Sequence, residues 1–195
     1  MKDLVVVVAL FLISILSYPP RAAAQNQSGT QTPDPTALAK PGKEHAELKS
    51  FVGNWSVQMT AGKKTMGTGT AQASSLLGDR FLVLDGRLSV ESKASEFRFT
   101  IGFDRRNEEY ELTLMDTAGT YSVSARGKRV DNRIRVFGTD NDPFMKKMGI
   151  DKKFAFDLEL LGKDKFSITT IYVDNRTPEE KLIPAFQYVF LRVQR

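Results

Sequence analysis

The chain of 195 residues has no cysteine and a single histidine. Without a thiol there is no disulfide framework, no thiolate metal site, no cysteine nucleophile and no diacylated lipoprotein anchor. One imidazole, His45, excludes a metal centre built from several histidines. The Gly-x-Ser-x-Gly elbow, the His-Glu-x-x-His helix and the phosphate loop are all missing, so the familiar hydrolase and nucleotide sites lack their motifs. Charge of one sign is scarce too: 28 Lys and Arg stand against 23 Asp and Glu, interspersed, for a net +5. That gives little support to counterion-driven binding of nucleic acid. No apolar run reaches the roughly 20 residues that cross a bilayer as a helix.

The longest apolar run, Leu4 to Leu16, follows Lys2 and precedes Ala22-Ala23-Ala24. An apolar segment of this length, with small residues three and one before a cleavage point, is the pattern of a secretory signal. Residues 1–24 are expected to be a signal peptide cut after Ala24, which places the protein in the periplasm or outside the cell. Retention of the leader as an anchor is the alternative. Residues 25–40, rich in Gln, Thr, Ser and Pro and without an aromatic, are expected to form a disordered tether. Residues 41–195 are expected to make one domain, long enough to bury a core without cross-links.

That domain opens with a short helix around Ala46, Leu48 and Phe51, ended by Gly53. Beyond it the apolar period becomes two, the signature of strands. Phe97, Phe99, Ile101 and Phe103 share one face; so do Phe154, Phe156, Leu158 and Leu160, then Phe166, Ile168, Thr170 and Tyr172, then Phe186, Tyr188 and Phe190. The same reading gives ten strands, beginning at Trp55, Gly67, Phe81, Phe97, Tyr110, Tyr121, Arg133, Phe154, Phe166 and Phe186. Short turns such as Val130-Asp131-Asn132 and Gly162-Lys163-Asp164 force antiparallel neighbours. Ten such strands would leave two bare edges as an open sheet, so an all-β, up-and-down barrel is expected. Two short capping helices are also expected, Pro143 to Met148 and a turn at Thr177-Pro178-Glu179-Glu180, which has the capping-box arrangement.

Three segments carry a resemblance. His45 to Trp55 is similar to the opening of lipocalin-like barrels, a short helix leading into Gly-x-Trp. Gly78-Asp79-Arg80-Phe81-Leu82 resembles a Gly-Gly-Arg-Phe-Leu strand opening. Gly102-Phe103-Asp104, Tyr110, Asp116 and Gly119-Thr120 follow the order Gly-Tyr-Asp, Tyr, Asp, Gly-Thr. Together they resemble the bacterial family catalogued as domain of unknown function 1579. The resemblance implies a lipocalin-like barrel with no established activity.

Trp55 is expected to plug one end of the barrel, with its N–H on a carbonyl. Arg80 is expected to stack on that indole or pair with Asp104 or Asp116; in a functional role it would hold a ligand headgroup. His45 is expected on the barrel rim. An enzyme would use Asp104, Asp116 or His45 as acid or base. A binding protein is favoured instead, because a barrel of this size encloses a cavity and no nucleophile, base and metal set is present. A filled barrel with a structural or interaction role is the third reading. The ligand expected is a small apolar or amphiphilic molecule, with an anionic head as one option and no cofactor. Phe99, Phe103, Phe156 and Tyr188 are expected to line the interior. Phe144, Met145, Met148 and Lys147 are expected to form a lid, with weak contact to an anionic membrane surface as a further property of its lysines.

Overall fold

The computed structural model describes residues 35–147, 152–174 and 180–194, all within the compact unit Pro33–Arg195. Ten strands follow one another: β1 Gly53–Ala61, β2 Lys64–Leu76, β3 Phe81–Val90, β4 Lys93–Asp104, β5 Glu109–Asp116, β6 Ser122–Val130, β7 Arg133–Asp140, β8 Lys152–Gly162, β9 Lys165–Asp174 and β10 Lys181–Arg192. Each pairs antiparallel with its neighbours in the chain, and β1 closes on β10 to complete the barrel. The expected up-and-down barrel is therefore the fold. Three helices accompany it: α1 Pro35–Leu38, α2 Lys43–Leu48, which runs into a 3-10 turn at Lys49–Phe51, and α3 Pro143–Lys147. Residues 148–151 and 175–179, and with them the second expected capping turn, lie outside the described residues. So do the leader and the first part of the tether. Its last residues, from Pro35, contain α1.

Strand boundaries differ from the sequence reading where chemistry hides the period. The β3–β4 hairpin turns on Glu91 and Ser92, both left-handed (φ 49° and 66°). Two such residues match the twist of the flanking strands, so β4 starts at Lys93 rather than Phe97. Strand β10 starts at Lys181 rather than Phe186 because its proline sits at an irregularity: the register against β9 shifts between Pro184 and Phe186. A proline donates nothing to the ladder and is tolerated at such a bulge.

The four aromatic faces point inward, except that Leu160, beside a register shift in β8, and Tyr172 are exposed. At one end of the barrel α2 and the 3-10 turn lay Leu48 and Phe51 into the core. Trp55 lies beneath them, wholly buried, and its Nε1 donates to the Phe51 carbonyl at 2.9 Å. The Phe166 ring stacks on Phe190 at 4.2 Å and meets Phe51 and Trp55 edge-on at 5.0 and 4.7 Å. Burying each such ring contributes about 1.5–3 kcal/mol, so this end is a solid plug. Helix α2 is held on it by Glu47, which accepts from the Tyr110 hydroxyl and pairs with Arg129. Burial and the Glu47 charge push the Tyr110 phenol up to about 12.

Candidate functional site

The barrel has two unlike ends, because α2 follows one rim and the hairpin turns of β3–β4 and β5–β6 form the other. At this second rim a cavity of about 610 Å³ opens between the strands. Its floor is aromatic. Phe156, Phe97 and Tyr188 line it, the last two 5.5 Å apart, and Phe99 packs edge-on under Phe156 at 6.1 Å without reaching the cavity. Met59, Leu114 and Val123 supply aliphatic wall, and Tyr121 and Tyr172 stand at the rim.

Strand β2 carries only small inward residues and packs its backbone tightly on β3. In the β1–β2 and β2–β3 registers, Gly67, Gly69, Ala71 and Ala73 oppose Met59, Val57, Trp55 and Gly53 on one side and Val90, Leu88, Gly86 and Leu84 on the other. The inward positions of β2 are thus glycine and alanine throughout its upper half. Gly86 on β3 leaves space for the Phe97 ring, which a Cβ there would overlap. A side chain at Gly86 would require that ring to move.

The charged groups of the mouth are Glu91, Lys93, Asp116, Asp140 and Lys152, with the hydroxyls of Ser95, Thr117, Thr170 and the tyrosines. Lys152 faces Asp140 across β7 and β8 and bridges its carboxylate at 3.1 Å and that of Asp142 at 3.4 Å. Partial burial would lower the ammonium pKa, but the two carboxylates outweigh it and the net direction is up. Asp116 accepts the Ala118 N–H at 2.9 Å and has no basic partner among the described residues. Burial first, and then the Asp116 charge, push the Tyr188 phenol up to about 12. It is a neutral hydroxyl at any ordinary pH.

The expected site residues fall into groups. Phe99, Phe156 and Tyr188 come together at the cavity, Phe99 as the layer beneath it. Phe103 points inward but at the plugged end, 4.9 Å from Tyr110 and 6.1 Å from His45. Arg80 lies at that end too. It neither stacks on Trp55 nor pairs with Asp104 or Asp116: its guanidinium donates to the carbonyls of Leu77 at 2.9 Å and Ala39 at 2.9 Å. The stacking cation is Arg192, 4.2 Å from the indole, because the β1–β10 register sets Arg192 opposite Trp55. Lys147 is exposed on α3. Met148 and the side chains of Phe144 and Met145 lie outside what the structure describes.

His45, Asp104 and Asp116 do not converge. Asp104 ends β4 at the plugged rim, where two hydrogen bonds from the Arg106 side chain at 2.9 and 2.8 Å, and one from its backbone, hold the carboxyl well below its usual range. His45 is buried at the same end but makes its own contact, with Nδ1 accepting the Gly42 N–H at 3.0 Å. Asp116 is at the far end of β5. Sequence reasoning missed Phe97, Leu114 and Val123 in the wall, although Phe97 shares its alternating face with Phe99.

The family model described as a protein of unknown function, DUF1579, matches residues 40–187. The chain belongs to the DUF1579 family. In this DUF1579 barrel the Gly-Asp-Arg-Phe-Leu segment has a physical reading: Leu77, Gly78 and Asp79 are all left-handed (φ 52°, 64° and 67°). A glycine in the place of Asp79 would adopt that backbone freely. Here Asp79 accepts from Ser75 at 2.7 Å and pairs with Lys49 at 2.6 Å, tying the turn to the helical cap. No curated protein matches the chain. Solved structures similar to it include a de novo designed fluorescence-activating beta barrel, with 11% identity over 75% of this chain and 96% of that one and a TM-score of 0.43. The redesigned beta barrel mFAP1 bound to DFHBI has 10% identity over 74% and 97%, with a TM-score of 0.40.

Proposed function

We propose that this DUF1579 barrel is an exported carrier that binds a small apolar or amphiphilic molecule in the cavity at its mouth. The observation that carries the reading is the cavity: about 610 Å³ falls within the roughly 300–1,000 Å³ of small-molecule sites, and an aromatic floor with a few polar groups at the rim is their usual lining. A handful of apolar contacts at about 1.5–3 kcal/mol each reaches micromolar affinity after ordering costs. Export rests on the leader, with cleavage after Ala24 giving a mature chain that starts at Gln25; N-terminal sequencing of the protein recovered from outside the cytoplasm tests it.

Binding is tested by titrating purified protein with a neutral apolar dye whose emission rises in a dry site. Uptake near micromolar is expected, and Val123→Trp, which puts an indole into the cavity, is expected to abolish it with the strand circular dichroism intact. Wild-type protein of full thermal stability that takes up no dye would overturn the reading.

A further inference from the structure

Resting on the cavity reading above, we infer that the mouth selects a cationic headgroup over an anionic one, with Asp116 as the specificity-determining residue. Charges at the mouth come in both signs, Glu91, Asp116 and Asp140 against Lys93 and Lys152, and the more enclosed cation is engaged. Lys152 is held by Asp140 and Asp142 at 3.1 and 3.4 Å, and Lys93 stands on an exposed hairpin beside Glu91. Asp116 alone among the lining charges has neither a salt-bridge partner nor a neighbour of opposite sign on its own turn, among the described residues. It faces inward, opposite Phe97 in the β4–β5 register, and its charge is felt at the Tyr188 hydroxyl.

Around that carboxylate stand aromatic faces. Phe97 and Tyr188 lie 5.5 Å apart, and Tyr121 is on the rim with most of its surface exposed. Ring faces attract cations, more strongly when the cation has shed water. An alkyl ammonium would lay its chain against the aromatic floor and its head between the rings and Asp116. A carboxylate or sulfate head placed there meets the negative charge of Asp116 with Lys152 already engaged.

The probes are decyltrimethylammonium, decyl sulfate and decanol, each below its micelle concentration, competing with the neutral dye for purified protein. The ammonium is expected to displace dye at about tenfold lower concentration than the sulfate, with decanol between them. Asp116→Asn keeps the acceptor for the Ala118 N–H and is expected to bring the two charged probes within about twofold while decanol is unchanged; Asp116→Glu is expected to retain the preference. Decanol binding without charge discrimination, or discrimination that survives Asp116→Asn, overturns this inference and leaves the cavity reading standing. Failure of decanol and dye alike overturns both.

Discussion

The Arg192 guanidinium lies 4.2 Å over the Trp55 indole, directly across the β1–β10 seam. The same side chain donates to the carbonyls of Val52 at 2.9 Å and Ser50 at 3.0 Å and pairs with Asp164 at 3.0 Å. One planar cation thus joins the last strand, the first strand, the helical cap and the β8–β9 turn. Arg192→Ala is expected to cost about 2 kcal/mol, from the lost cation–π contact and two carbonyls left without their donor. Urea unfolding measures it, and emission from the chain's single tryptophan should shift in the folded state. Lys is expected to restore little, because an ammonium cannot stack and fork together.

On the barrel's outer face Asp157 is buried between two arginines. Arg135 grips it through two hydrogen bonds at 2.7 and 2.6 Å, and Arg133 reaches it at 3.2 Å. The hydrogen bond to Asp157 raises the Arg135 pKa. Asp157→Leu leaves Arg135 partly buried without a counter-charge and is expected to cost about 2 kcal/mol, below the figure for wholly buried pairs because both arginines keep some solvent. The double variant with Arg135→Leu is expected to regain much of that loss in the same unfolding assay.

Stability should fall on acidification through His45. Burial lowers its pKa, the charges of Arg105 and Arg80 add to this and Glu44 opposes it. The unfolded histidine takes up a proton below about 6.5, whereas the folded one resists until a lower pH. The stability is therefore complete above 6.5 and is lost as pH falls from there towards the folded pKa. The urea midpoint of the wild type is expected to drop further between pH 7.5 and 5.5 than that of His45→Asn.

Gly86→Ala should shrink the cavity. The new methyl overlaps the Phe97 ring, a lining residue that must then move, at a cost of about 1–3 kcal/mol for the overpacked wall. Dye uptake is expected to fall by more than the small loss of thermal stability would explain. Unchanged uptake would show that Phe97 does not bound the site.

Alternation made the barrel legible: Phe97, Phe99, Ile101 and Phe103 could only be one face of a strand. It did not say how high along the barrel each residue sits. Period two reports the face and nothing about the axis, so Phe103, at the end of β4 against His45, read the same as Phe97 at the cavity. The β1–β10 seam was equally silent. Arg80 precedes an apolar strand and so reads as the indole's partner, while Arg192 becomes one only when the barrel closes.

The seam has a kinetic consequence. Every other strand pair joins chain neighbours through a hairpin or a short connection, whereas Ser56 and Leu191, bonded across β1 and β10, are 135 residues apart. Local pairs zip cheaply; this one carries the loop-closure entropy of the whole domain. Until it forms, the chain is a sheet with two unpaired edges, each open to a strand from another molecule. With no cysteine to hold those edges together, the rate at which β10 finds β1 sets how long a newly made molecule stays open to aggregation.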